Sequence, residues 1–169
     1  MPGVPGAFTR GPIMATLLQG SDLVVAAKNI RAELRERFPQ TKFGVKSKRF
    51  SGGDSITVTW TDGPTTDAVR AVVDRYRDGD FDGMTDSYNY RAGPKPNGSA
   101  KYVQCERDYS DVAIERAIAA VAAKWGERQR PTLADYREGR AWSMTPYSDP
   151  CDIVSWQQLV NRECAGTTF

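Results

Sequence analysis

Two alternating segments joined by a glycine-rich turn most constrain the fold of this chain. KFGVKSKRF (42–50) and ITVTW (56–60) each alternate apolar residues with lysine, glycine or threonine, and SGGDS (51–55) separates them. A period of two places successive side chains on opposite faces of a strand, and SGGDS has the composition of a turn. The segments therefore predict a β-hairpin with one apolar and one polar face.

Amphipathic helical patterns lie on both sides of this hairpin. After Ser21, a plausible N-cap, apolar residues recur every three or four positions until Pro39 ends the pattern. Pro64 suits the first turn of a second helix. A third helix is capped by Ser110 and closes at Gly126. We therefore expect helices before and after the strands.

A second pair of alternating segments completes the pattern. SYNYR (87–91) and KYVQCER (101–107) flank a loop rich in Gly, Pro, Asn and Ser, which predicts a second hairpin. The element order α-β-β-α-β-β-α favours an α+β two-layer sandwich, in which an antiparallel sheet from two hairpins carries helices on one face. Beyond it, short helical patterns, one of them opening at Asp149-Pro150, predict a helical C-terminal extension.

The predicted organisation has three parts in 169 residues, a length suited to one domain with additions. They are a flexible N-terminal tail (1–20), an α+β core domain (21–126) and a helical C-terminal extension (127–169). The tail has no basic start, and no run of about eighteen apolar residues exists, so we expect neither a signal peptide nor a membrane span.

The composition excludes several classes of chemistry. The chain has no histidine, which excludes imidazole-based catalysis and histidine-ligated zinc. Its three cysteines, an odd number without CxxC spacing, predict reduced thiols and a cytoplasmic location. The net charge of +2 does not indicate a nucleic-acid-binding protein, whereas a local basic patch would.

DGDFDGMTDSYN (78–89) partly matches an EF-hand calcium loop. Its oxygen ligands would come from four aspartates: Asp78, Asp80, Asp82 and Asp86. However, Asn89 replaces the bidentate glutamate that closes such a loop, and a strand-like pattern replaces the exit helix. The favoured interpretation is a helix-to-strand turn with solvated aspartates and no cofactor, and weak calcium or magnesium binding is the alternative.

Basic residues concentrate on the first helix and the first strand. This candidate phosphate or nucleic-acid contact comprises Lys28, Arg31, Arg35, Lys42, Lys46, Lys48 and Arg49. The alternative is a solvated strand face, on which lysine discourages edge-to-edge aggregation.

Two aromatic residues in the polar stretch near the C-terminus could anchor a protein interface. Trp142 and Tyr147 are of the kind that dominates binding hot spots, although packing of the extension onto the core would also use them. Tyr88 and Tyr90 share one strand face, which would also suit stacking of single-stranded bases.

Several signatures occur together and in order: RAELRERFP, KFGVKSKRFSGGDSITVTWTDGPTTDAV, FDGMTDSY and KYVQCERDYS. With them the chain resembles the large polyvalent protein-associated domains, most closely the one numbered 29. The resemblance covers about residues 21–125, and DGPT followed by FDGMTDSY is its most specific part.

The resemblance implies a biological context more than a mechanism. Such domains occur on plasmids, phages and other mobile elements, within very large proteins or as small free-standing ones. The large proteins are thought to accompany incoming DNA, and other small proteins of mobile elements act as anti-restriction or anti-CRISPR inhibitors. The family has no settled catalytic residues, so the resemblance assigns no site to this chain.

The functional hypothesis is a non-catalytic binding module of a mobile genetic element, in counter-defence, that binds a host defence protein or nucleoprotein complex. One alternative is a nucleic-acid-binding accessory protein that uses the basic helix-hairpin face. Another is a metal-dependent phosphodiester enzyme that uses aspartate carboxylates. No catalytic residues and no membrane partner are predicted.

Overall fold

The computed structural model describes residues 17–20, 22–147 and 154–169. Outside these residues lie most of the predicted N-terminal tail, the predicted cap Ser21, the predicted helix start at 149–150 and Cys151. In chain order the elements are α1 (Leu23–Arg37), β1 (Gly44–Phe50), β2 (Gly53–Thr61), α2 (Thr66–Val73), β3 (Gly79–Asp82), β4 (Ser87–Tyr90), β5 (Tyr102–Asp108), α3 (Asp111–Trp125), α4 (Leu133–Arg137) and α5 (Trp156–Gly166). Short 3-10 turns occupy Asp74–Tyr76 and Arg140–Ser143.

The strands form a three-stranded sheet in the order β1-β2-β5 and a separate two-stranded β3–β4 hairpin. β1 pairs antiparallel with β2, as the first alternating pair predicts, whereas β5 pairs parallel with β2. The α+β class is confirmed. A parallel neighbour requires a crossover connection, and the segment from α2 through the β3–β4 hairpin supplies it.

The predicted second hairpin, and with it an all-antiparallel sheet, is wrong. Residues 87–90 pair with 79–82 of the aspartate segment, not with 101–107. The connector that joins β3 to β4 is a short turn, whereas the loop before β5 is longer and richer in proline. Alternation identifies a strand but does not identify its partner, and the nearer segment across the shorter turn forms the hairpin.

One face of the sheet packs against α1 and α2. Val45, Val58 and Trp60 are buried on this face with Ile30 of α1 and Val73 of α2. Directly paired residues share a face, so the residues between them point to the opposite side. No helix joins this opposite side to a hydrophobic cluster in the described residues, and we call it the open face.

A second hydrophobic cluster gathers α3, α4 and α5 around the fully buried Trp156. α3 contributes Ile114, Ile118 and Val121 to this cluster rather than to the sheet cluster. The C-terminal elements therefore complete the packing of α3, and the domain boundary at Gly126 stays a prediction. No described helix combines the length and the apolar composition that crossing a membrane requires.

Arg107 joins the two clusters. Its guanidinium donates hydrogen bonds to the backbone carbonyls of Asp62, Gly63, Cys164 and Thr167, at 2.8–3.1 Å. These carbonyls belong to the turn before α2 and to the end of α5, which lie far apart in the sequence. One side chain of the sheet therefore links the turn before α2 to the C-terminal segment.

Candidate functional site

The seven basic residues predicted to contact phosphate are all exposed and surround the edge strand β1. We call Lys28, Arg31, Arg35, Lys42, Lys46, Lys48 and Arg49 the basic edge. The three residues of α1 follow one another at steps of three and four and therefore share one side of the helix. Arg31 places this side beside β1, because its guanidinium donates a hydrogen bond to the Val45 carbonyl.

Among the described residues, most cations of the basic edge have no carboxylate partner. Arg49 pairs with Asp22 just before α1, and Arg31 is engaged with Val45. None of the other five pairs with a carboxylate of a described residue. Within the described part of the chain, no ion pair therefore neutralises their charges.

Charge is segregated along the chain despite the small net charge. Residues 22–50 contain eight Lys and Arg against three Asp and Glu, whereas the whole chain contains 23 against 21. The rest of the chain therefore contains 15 Lys and Arg against 18 Asp and Glu, and its net charge is negative. A local positive potential at the basic edge follows from this distribution, and the average over the chain conceals it.

The open face extends this charge across the sheet. In the strand register, Lys46 lies beside Thr57, which lies beside Gln104, and Lys48 lies beside Ser55 and Tyr102 in the next row. These side chains offer cations at one edge, hydroxyl groups in the middle and an amide and a phenol at the other. Such groups can hydrogen-bond to phosphate, sugar and base edges.

The structure does not bring the four aspartates together. Asp78 pairs with Lys95 at 2.6 Å, and Asp80 with Arg77 and Arg91 at 3.0 and 3.1 Å. Asp82 accepts hydrogen bonds from Met84 N and Thr85 Oγ1, both at 2.9 Å, as the first residue of a turn.

These contacts define the electrostatics of the aspartate segment. Arg91 and Arg77 lower the pKa of the Asp80 carboxyl. The pKa of Asp82 is lowered by the Met84 amide and the Thr85 hydroxyl. Among the residues described, no group of three or more acidic, thiol or imidazole side chains could hold a metal ion. Metal binding by these aspartates stays a prediction that the geometry does not support.

A cluster of aromatic rings lies where the β3–β4 hairpin meets β5. It comprises Phe50, Phe81, Tyr88, Tyr90 and Tyr102, and we call it the aromatic corner. Tyr88 donates a hydrogen bond to the Lys101 carbonyl, and the Lys101 ammonium lies 5.2 and 5.4 Å from the ring centroids of Tyr88 and Tyr102. Burial raises the pKa of the Tyr88 phenol, with the Asp78 charge adding to the effect.

The sequence indicated only the pair Tyr88 and Tyr90 for stacking, and the structure adds three rings to it. The sequence carries little indication that these rings belong together, because Phe50 and Tyr102 lie far from the β3–β4 hairpin in the chain. They meet because the parallel pairing of β5 with β2 puts Tyr102 and Phe50 on the same corner of the open face.

The two predicted interface residues occupy different environments. Trp142 is 56% exposed, whereas Tyr147 is half-buried and makes an edge-to-face contact with Trp125 at 5.5 Å. Tyr147 is therefore partly used in packing the C-terminal cluster. The role of Trp142 and Tyr147 as interface anchors stays a prediction.

The described cysteines are poorly suited to nucleophilic catalysis. Burial raises the pKa of the Cys105 thiol and of the Cys164 thiol to about 11. A thiol with such a pKa is protonated at neutral pH, whereas the thiolate is the reactive form.

The family comparison agrees with the signatures noted in the sequence. No curated protein and no solved structure is significantly similar to the chain. Residues 22–118 match the family model described as large polyvalent protein associated domain 29. This match covers more than half of the 169 residues, and it includes the whole sheet, the β3–β4 hairpin and the basic edge. The chain belongs to the large polyvalent protein associated domain 29 family.

Proposed function

We propose that the protein is a non-catalytic binding module of a mobile genetic element that contacts the phosphates of nucleic acid in a bacterial cytoplasm. The observation that carries this proposal is the basic edge, where seven exposed cations surround one strand and six have no carboxylate partner among the described residues. Family membership supports the mobile-element context.

The arrangement of the basic edge favours a polyanion over a small anion. Its cations are spread along α1 and β1 instead of converging on one point, and β1 alone is seven residues long. A strand rises about 3.3 Å per residue, so the row spans several phosphates of a nucleic-acid backbone. Counterion release on contact would make the affinity strongly dependent on salt.

Contact without catalysis is supported by the use of the acidic groups. Asp78 and Asp80 are already held by Lys95, Arg77 and Arg91. The positive charges beside these carboxylates would oppose the binding of a catalytic metal ion, which makes phosphodiester hydrolysis the weaker hypothesis.

The second candidate is counter-defence through a host protein. It is favoured by Trp142, a large exposed aromatic in the 3-10 turn that contributes Ala141 to the C-terminal cluster. A host protein held by Trp142 would still bind after the lysines of the basic edge have been replaced. This distinguishes the two candidates.

Replacement of Lys42, Lys46 and Lys48 by glutamate is expected to weaken binding to nucleic acid strongly. Each lost phosphate contact lowers the steepness of log affinity against log salt by roughly 0.7–0.9, so three lost contacts should lower it by about 2–3. Fluorescence anisotropy with a labelled oligonucleotide over a range of salt concentrations measures both quantities.

A matched control is available on the C-terminal cluster. Arg116, Arg128 and Arg162 are also exposed, and their replacement by glutamate changes the net charge by the same amount. This control variant should keep most of the affinity for nucleic acid if the position of the positive charges matters. Equal losses in both triple variants, or binding indifferent to salt, would contradict phosphate contact at the basic edge.

A further inference from the structure

The aromatic corner contains a row of four rings whose two ends are exposed. Successive ring centroids lie 4.7 Å (Tyr90 to Tyr88), 5.7 Å (Tyr88 to Tyr102) and 6.2 Å (Tyr102 to Phe50) apart. Tyr90 is 65% exposed and Phe50 is 43% exposed, whereas Tyr88 and Tyr102 between them are half-buried. Contiguous exposed apolar patches often mark binding sites.

A cavity of about 220 Å³ opens within this row. Phe81, Tyr88 and Tyr102 supply its aromatic walls, and Lys101 and Gln104 supply polar groups. Pockets that enclose drug-sized ligands measure roughly 300–1,000 Å³, so this one suits a single planar ring system. Phe81 at its rim is 57% exposed.

Cations border the cavity on both sides. Lys101 lies beside the rings, and Lys48 occupies the same row of the open face as Tyr102. On the hairpin side, Arg77 lines the cavity but is paired with Asp80. A backbone of phosphates would therefore follow the lysines, which have no carboxylate partner among the described residues, across the sheet.

We propose that the aromatic corner binds the bases of single-stranded nucleic acid. One base enters the cavity against Tyr88 and Tyr102, its neighbours stack on Phe50 and Tyr90, and the phosphates follow Lys48. This inference rests on the proposed function, and it specifies single-stranded nucleic acid as the form that the basic edge would hold. Bases inside a duplex are stacked on one another and cannot reach these rings, so duplex binding would be weaker.

The test compares three labelled ligands at one salt concentration: a thymidine strand of about 12 nucleotides, its abasic counterpart and a duplex of the same length. Stacking contributes a factor of about 5 to 150 in affinity per base, so the thymidine strand should bind at least about tenfold more tightly than the abasic strand. Phe50→Leu and Phe81→Leu, both at exposed rings, should reduce this ratio. Trp142→Leu, at an exposed ring on the other cluster, should not.

The outcomes separate this inference from the proposed function. Equal affinity for the thymidine and abasic strands, with both lost in the lysine triple variant, would overturn stacking and leave phosphate contact standing. Duplex binding as tight as single-strand binding would also overturn it. Absence of binding to all three ligands would overturn both proposals.

Discussion

Replacement of Arg107 by methionine is expected to destabilise the protein by about 2–4 kcal/mol, because hydrogen bonds from a charged donor are among the stronger ones and four backbone carbonyls lose this donor. The guanidinium serves four backbone carbonyls, two in the turn before α2 and two at the end of α5. Methionine retains a similar apolar stem but serves none of them.

Arg107 also packs between two rings. Its guanidinium carbon lies 4.9 Å from the Tyr109 ring centroid and 5.7 Å from that of Phe169. A lysine at this position would keep the charge but not the planar fork, and it could serve only some of the carbonyls. We therefore expect Arg107→Lys to lose most of the stability that Arg107→Met loses.

Urea denaturation monitored by tryptophan fluorescence measures this effect. Arg116→Met is the matched control, since Arg116 is exposed and surface substitutions usually change stability by no more than about 0.5 kcal/mol. A loss below about 1 kcal/mol for Arg107→Met would show that the four hydrogen bonds do not hold the C-terminal segment in place.

Truncation of Trp156 to alanine is expected to cost about 3–5 kcal/mol, the usual range for a fully buried large aromatic. Trp156 lies at the centre of the cluster formed by α3, α4 and α5, and its indole N–H donates to the Arg128 carbonyl at 2.9 Å. Trp156→Phe keeps a ring in the site but leaves this carbonyl unpaired, so a smaller loss of about 1–3 kcal/mol follows.

The location of the effect is as informative as its size. Because Ile118 and Val121 of α3 pack in the same cluster, hydrogen exchange in α3 should accelerate together with that in α5. If α3 instead stayed protected with the sheet while α5 exchanged freely, α3 would belong energetically to the sheet domain. That result would favour the domain boundary at Gly126.

The parts of the fold that depend on local periodicity could be predicted from the sequence. α1, the β1–β2 hairpin, α2 and α3 each carry a period of 3.6 or 2 over enough residues to identify the element. The resemblance to the family followed from the same segment and is confirmed.

The pairing of the remaining strands could not be predicted in this way. SYNY and YVQCERD both alternate, yet the first pairs with the aspartate segment and the second runs parallel to β2. Asp80 and Asp82 matched the calcium-loop pattern because turns and calcium loops favour the same residues, Asp and Gly. Only the contacts with Arg77, Arg91 and Thr85 show how these carboxylates are used.

The candidate site could be predicted only where it depends on local periodicity. A period of two places Lys46 and Lys48 on one strand face, and the register agrees with that prediction. The engagement of Arg31 with Val45 and the meeting of Tyr102 with Phe50 depend on tertiary packing, which leaves no signature in a local pattern.

The central claim is that the basic edge, the open face and the aromatic corner form one nucleic-acid interface, and amide chemical shifts of isotope-labelled protein test it most directly. On titration with the thymidine strand, shifts should change in α1, β1, β2, β5 and the β3–β4 hairpin, while the amides of α3, α4 and α5 stay unchanged. Changes confined to the three C-terminal helices, or no change at a large excess of the strand, would contradict the claim.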